Sequence, residues 1–322
     1  MTTVTDRART AAPSASHAQP AARQNRPRRN WTLLWFAIPG MALLLAFHYY
    51  PLIGNVVAFK DYLPFIGVWE SPWVGLENFE VITGGDARFL NAVKNTLIIT
   101  AVQTIFVFPL PIALALLLNS LLSERIKRVV QSITYLPHFL SWVIIVAIFQ
   151  TILGGAGSIS TWMRRQGYDG LDIIGNADAF IALITAQVTW KDTGWAAILF
   201  LAALSQIPTE LYEASAVDGA SRSRQLWHIT LPGLRAIIIL LFILQLGSSL
   251  TVGFEQLILQ QPAVGIRASE VLDTYVYNTG IVSGHWGEAA AVGLVKGVIG
   301  VVLVLGANKV AHMFGEAGVY QR

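Results

Sequence analysis

The chain has 322 residues, 54% of them hydrophobic and only 13% charged. A water-soluble domain carries roughly 25% charged residues, and half of that cannot clothe a globule of this size, so cytosolic enzymes and disordered proteins are excluded. The formal net charge of +3 argues against a nucleic-acid binder, and the absence of cysteine removes disulfides, Cys-ligated zinc and thiol chemistry, which leaves an integral membrane protein.

Residues 1–30 are rich in Ala, Pro, Ser and Gln and set Arg7, Arg9, Arg23, Arg26, Arg28 and Arg29 against one acid, Asp6. Nothing there can bury a core, so a disordered tail is expected. An Arg-rich, acid-poor start also fits an organelle transit peptide. A cleaved secretory signal fits poorly, because the apolar run Trp31 to Leu52 is longer than an h-region and has no A-x-A site after it.

A membrane-spanning helix needs ~20 mostly apolar residues. That length is met at about 31–52, 92–118, 130–153, 178–205, 233–255 and 288–311. The fourth stretch contains Lys191 and Asp192 and the sixth contains Lys296, so both need polar neighbours within a bundle. The alternation of an outer-membrane barrel is absent. With the N-terminus inside, the cytoplasmic segments hold fourteen Lys and Arg residues and the outer segments five, so both termini are expected in the cytoplasm. The outer segment 53–91 carries Phe59, Tyr62, Phe65, Trp69, Trp73 and Phe79. A loop of that length with so many aromatics is expected to fold against the bundle mouth, either as an interfacial belt or as a ligand contact.

The segment between the fourth and fifth spans stands apart. Pro208 suits the first turn of a helix, and Glu210 and Glu213 lie near its positive end. Gly219 breaks that helix, Ser221 can cap a second one, and Pro232 marks the next boundary. Two short helices joined at Gly219, with Leu211, Tyr212, Ala214 and Val217 as apolar residues, form a docking element more readily than a catalytic one.

Here the sequence resembles a family. Glu213-Ala214-Ser215, three residues, Gly219, nine residues and Ile229-x-Leu231-Pro232 is similar to the EAA signature of the membrane subunits of binding-protein-dependent ABC importers, with Ser215 where Ala is usual. Trp190 to Trp195, Leu226 to Gly233, Phe254-Glu255-Gln256, Asp273 to Tyr277 and Ala291 to Lys296 look like the sugar permeases of the LplB type. The resemblance runs from about residue 31 to the end. It implies an all-α integral membrane protein with six transmembrane helices, the type I ABC importer permease fold and a cytoplasmic coupling helix. Beyond the disordered cytoplasmic tail that composition gives at 1–30, it implies a permease domain at 31–322, with the coupling loop at about 206–232. The ATPase-coupling residues it implies are Glu213, Ala214, Ser215, Asp218, Gly219, Ala220, Ile229, Leu231 and Pro232.

Polar residues inside the spans admit two readings each. Lys191 and Asp192 lie ~20 Å along the fourth span at 1.5 Å per residue, so the bundle satisfies them or they face a substrate pathway. Adjacent residues diverge by about 100°, which makes Asp192 a poor partner for Lys191. Lys296 is a pathway residue or snorkels to the outer surface. Glu255 and Gln256 sit at the expected outer end of span five, as sugar contacts or an ordinary helix terminus. Lys191, Lys296 and Arg267 suit an acidic sugar. The histidines are scattered without metal-ligand spacing, no nucleophile is paired with a base, and Gly154-Gly155-Ala156-Gly157 has no following Lys. No catalytic residue, metal site or bound cofactor is therefore expected, and ATP and Mg belong to a separate chain.

The expectation is a permease subunit of an ATP-driven importer in the bacterial inner membrane. It moves a carbohydrate, an oligosaccharide that is neutral or acidic, from an extracytoplasmic solute-binding protein. The resemblance supplies its other partners: a second homologous permease, two ATP-binding-cassette subunits and membrane lipid, with no nucleic acid. An ion-coupled secondary carrier is the alternative, although such carriers show internal repeats that are not found here.

Overall fold

The computed structural model describes residues 31–313 and residue 315, so the tail expected over 1–30 lies outside the described residues. Among the described residues the secondary structure is helical, apart from one antiparallel bridge between Lys60 and Trp73. The chain divides into two units, residues 1–53 and 54–322.

The first unit contains α1 (Trp31–Leu44), a π-helical turn (Leu45–Tyr49) and one further helical turn (Tyr50–Ile53). Trp35, Phe36, Met41 and Phe47 lie exposed along it, an apolar surface of the kind a membrane helix offers to lipid.

The second unit opens with the aromatic loop, which is folded as its composition implies. The Lys60 ammonium is buried and donates to the carbonyls of Val68 (2.8 Å), Trp69 (3.0 Å) and Ser71 (3.3 Å). Phe59 stacks on Trp73 at 5.6 Å, and the Asn78 amide donates to the carbonyls of Ala58 and Lys60. A cation ringed by carbonyls fixes the loop's path, because each charged hydrogen bond is worth more than a neutral one.

α2 (Ala87–Phe106) starts at Asp86, whose carboxylate accepts from the Phe89 amide, and α3 (Pro109–Ser120) continues it after a two-residue break. Together they give an apolar run of 34 residues where one span at 92–118 is expected.

The expected span at 130–153 is corrected. Residues 124–135 form a separate helix, α4 (Glu124–Tyr135), followed by a 3-10 turn (Leu136–Phe139) and then α5 (Trp142–Leu153). Pro137 has no amide proton to continue a helix, and Ser141 restarts one by accepting from the Ile144 amide. The apolar run long enough to cross is Trp142–Arg165, which includes α6 (Ser158–Arg165).

α7 (Phe180–Leu204) matches the fourth span. With α8 (Thr209–Val217), bent from it by 70°, it makes a sixth candidate crossing beside the five helices among the described residues that are long and apolar enough by themselves. α9 (Arg222–Gly247) starts earlier than expected and ends eight residues before Glu255. Gly253 adopts φ +45° and starts a different helix, α10 (Phe254–Val264), so Glu255 and Gln256 do not terminate span five. α11 (Leu272–Tyr277) and the long α12 (Trp286–Met313) complete the unit.

Three apolar clusters hold these helices. Ile99, Phe180, Ile184, Leu257 and Val271 join α2, α7 and α10; Phe89, Ala92, Tyr275 and Val292 join α2, α11 and α12; Ala115, Phe200, Leu204 and Leu234 join α3, α7 and α9. Lipid removes the hydrophobic drive between helices, so close packing and polar locks carry more of the stability. Arg88 forms a bidentate pair with the buried Glu270 (2.8 and 2.6 Å), to which Asn278 also donates. Gln187 accepts from both Gln256 (2.7 Å) and Gln260 (3.0 Å).

Candidate functional site

The loop helix is built as the sequence dictates. Pro208 (ψ 131°) precedes α8, and Glu210 lies in its first turn at the positive end of the dipole. Gly219 adopts φ +75°, a left-handed conformation, and its amide closes the chain reversal by donating to the Ala216 carbonyl (3.0 Å). Ser221 then caps Arg222–Gln225 by accepting from the Arg224 amide.

The returning helix is tied to α8 by polar contacts. Gln225 donates to the Tyr212 carbonyl (3.2 Å) and to the Ser215 hydroxyl (2.9 Å), while the Tyr212 and Thr230 hydroxyls lie 3.0 Å apart. The departure from the signature, Ser215, therefore contributes a hydrogen bond that Ala cannot make. Glu213, Ala214, Asp218 and Gly219 are exposed, as are Leu211 and Val217, whereas Ala220, Ile229 and Leu231 are half-buried. Pro208, Leu211, His228, Ile229 and Pro232 border a groove of about 750 Å³. A rigid elbow with two uncovered apolar side chains and an exposed carboxylate offers a surface to another protein, and it holds no reacting pair.

The second region lies midway along α7. The Lys191 ammonium is buried and donates to the carbonyls of His138 (2.8 Å) and Leu140 (2.6 Å), with the Trp142 ring 5.5 Å away. Those carbonyls are the ones freed where Pro137 and Ser141 break the helix, so the cation satisfies groups that lipid cannot. Asp192 points elsewhere, with its carboxylate 2.9 Å from His138 Nδ1, and Trp195 stacks on the His138 ring at 4.6 Å. Asp192 also lines a cavity of about 360 Å³ with Gln103, Thr193, Gln245 and Ser248. Gln103 Nε2 and Thr193 Oγ1 there are buried without a hydrogen-bond partner.

The other expected pathway residues are not gathered at this cavity. Gln256 is fully buried and donates to the Ile184 carbonyl and to Gln187, a packing role between α7 and α10. Glu255 is exposed on α10. Lys296 forms an ion pair with Asp273 rather than snorkelling, beside a groove of about 500 Å³ lined by Gly247, Gly293, Gly297 and Gly300. His138, Gln103 and Gln245 escaped the sequence reading. Single polar residues within apolar runs were the available signal, but their convergence depends on the break at Pro137 and on the crossing of α2, α7 and α9. Among the described residues no group of three His, Asp or Glu side chains could hold a metal.

Comparison with known proteins agrees with this architecture. Residues 107–314 match the family model described as "Binding-protein-dependent transport system inner membrane component". The chain is 41% identical over 294 residues to Protein LplB of Bacillus subtilis (strain 168), covering 91% of this chain and 92% of that one. It is 40% identical over 284 residues to the polygalacturonan/rhamnogalacturonan transport system permease protein YteP of the same organism, covering 88% of each. Among solved structures it is similar to a chain of the bacterial alginate ABC transporter in complex with an alginate pentasaccharide-bound periplasmic protein. There the TM-score is 0.81 at 34% identity, over 90% of this chain and 97% of that one. From a matched model spanning most of the chain and near-full-length relatives, the chain belongs to the binding-protein-dependent transport system inner membrane components, as a multi-pass permease subunit of an ABC importer.

Proposed function

We propose that this permease carries an oligosaccharide across the membrane, with acidic, uronate-containing chains as its substrate class. It receives the sugar from an extracytoplasmic binding protein, pairs with a second homologous permease, and is driven by two ATPase subunits that dock at residues 206–232. Relatives named for polygalacturonan/rhamnogalacturonan transport and for alginate support the substrate class. The cavity polar groups Asp192, Gln103 and Gln245 are suited to sugar hydroxyls, and the unpartnered Gln103 amide and Thr193 hydroxyl are the groups a passing sugar can satisfy. Membership of this family sets aside the ion-coupled carrier.

The observation that carries the coupling assignment is the elbow at Gly219. Its left-handed φ reverses the chain between α8 and α9, and Leu211, Glu213 and Val217 on α8 are uncovered. In this reading Glu213, Ala214, Ser215, Asp218, Gly219, Ala220, Ile229, Leu231 and Pro232 transmit ATPase closure to the spans as a rigid unit. A side chain at that φ costs about 1–2 kcal/mol, less for Asn, and most for a β-branched residue. Apart from its chain neighbours, no atom lies within 4 Å of the position a Cβ would take at Gly219, so strain and the docking surface decide the outcome. Gly219→Val is expected to leave the assembled complex with uncoupled ATPase, and Gly219→Asn to retain most coupling. Substrate-stimulated ATPase and uptake in reconstituted vesicles measure both, and wild-type coupling in Gly219→Val would overturn the assignment.

A further inference from the structure

The glycine cluster at 154–157 builds a groove that the transport mechanism leaves unused. A Cβ at Gly154 would overlap the Gln150 carbonyl, and one at Gly157 would overlap the carbonyls of Ile152 and Gly154. Only bare backbone fits there, so the chain folds tightly from α5 into α6. Ser158, Thr161, Trp162 and Arg165 then recur at i, i+3, i+4 and i+7 along one face of α6. That face meets Gln150 and Thr151, near the end of α5, across a groove of about 590 Å³, a size typical of small-molecule clefts.

The two neighbouring arginines are used differently. Arg164 donates to the Gly155 carbonyl (2.9 Å) and lies against Gly170, which fixes the turn. Arg165 lines the groove, and among the described residues it has no ion-pair or hydrogen-bond partner. The Thr161 hydroxyl and the Gln150 amide are likewise unpartnered among the described residues, and Trp162 is 61% exposed. No acid lines this groove, so Arg165 is its one charge. Ile159 and Met163 lie about 100° and 140° round the helix from the groove, so the side suited to lipid is a different one.

The groove also stands where cargo arrives. The Ile173 amide donates to the Leu153 carbonyl (3.0 Å), which sets this end of α5 beside the residues leading into α7. α7 then runs for 25 residues, ~38 Å at 1.5 Å per residue, before residues 206–232 begin. The groove is therefore at the opposite membrane face from that loop, the face from which an importer takes its substrate.

We propose that this groove is an entry subsite for an acidic oligosaccharide. The C–H face of a sugar ring covers Trp162, a uronate carboxylate pairs with Arg165, and ring hydroxyls bond to Gln150 and Thr161. An indole offers a broad flat apolar face, and a guanidinium receives a carboxylate through two parallel hydrogen bonds. Such a subsite rests on the uronate-containing substrate class proposed above and adds to it the residue that tells a charged sugar from a neutral one.

The test uses the assembled importer in lipid nanodiscs, without its binding protein. Calorimetry titrates it with trisaccharides of galacturonate, mannuronate or glucuronate, and with their methyl esters, which keep the ring hydroxyls and lose the charge. Wild type is expected to bind a uronate more tightly than its ester. Arg165→Gln is expected to raise the Kd of that uronate about tenfold, the loss of one charge-assisted pair, and to leave the Kd of the ester unchanged. Trp162→Ala is expected to raise both, and Trp162→Phe to restore them. Both side chains are exposed, so neither variant removes core packing. Equal effects of Arg165→Gln on acid and ester overturn the proposal, as do wild-type affinity in Trp162→Ala and the absence of uronate binding by the wild type. Weakened association of the sugar-free binding protein with the Arg165→Gln importer also overturns it, because the groove is then a protein contact. Uptake of the same sugars by wild-type vesicles supplied with the binding protein reads the substrate class separately. Uptake of a uronate with unaltered Kd values in both variants leaves that class standing and removes the groove, whereas uptake of none removes both.

Discussion

Lys191 shows how a single residue's role depends on what lies opposite it. A cation in the middle of a membrane helix is costly unless neutralised or hydrogen-bonded, and here two backbone carbonyls and an aromatic face receive it. Its loss leaves those carbonyls unpaired at the break between α4 and α5. Lys191→Met is therefore expected to destabilise the permease by about 2 kcal/mol, within the range for hydrogen bonds to charged groups, and to lower transport through that loosening. Thermal unfolding of the purified complex checks it. An unchanged melting temperature together with lost transport would instead mean that Lys191 acts on the substrate. Asp192, one residue on, meets His138 through its ring rather than its carbonyl and lines the cavity.

At the scale of elements, the contact between α4 and α7 is set by a missing side chain. Gly194 lies against the Thr134 carbonyl, and a Cβ there would overlap that oxygen directly. The obstruction is backbone, which cannot swing aside, so α4 must move off α7. Gly194→Val is expected to cost about 1–3 kcal/mol as an overpacked site, and to lower the yield of assembled complex more than Lys191→Met does. Size-exclusion recovery of the complex measures this, and normal recovery would show that α4 can shift freely. The same displacement carries the 136–141 break away from Lys191, so the two variants are expected to be less than additive. The turn that leaves α8 stands in contrast, since it is made by a single left-handed glycine with open space around it.

For the whole molecule, the excess of Lys and Arg in the short loops implies an orientation that cysteine labelling can test in this cysteine-free chain. Glu70→Cys is expected to react with an impermeant thiol reagent in intact cells, and Arg222→Cys to react only after permeabilisation. Both positions are exposed, whereas nearby Ser71 is buried and hydrogen-bonded to the Gly67 carbonyl, which makes it a poor reporter. Reversed labelling would place residues 206–232 outside and remove the coupling proposal with it.

Composition and apolar run length determined that this chain is a helical membrane protein, because a bilayer tolerates backbone only when its hydrogen bonds close within each segment. They also located most of the spans, and the residue types around Gly219 dictated the paired helices there through local capping and φ preference. The third span and the fate of the buried charges were beyond such reading. Pro137 and Ser141 mark a possible break in any sequence, but only the packing of α4 on Gly194 shows that the chain uses it. Likewise Lys296 reaches Asp273, and Gln256 reaches Gln187, across distances in sequence that local propensity does not register. A polar side chain in an apolar run announces that it needs a partner; which partner it finds is a property of the crossing helices, and only the tertiary structure decides it.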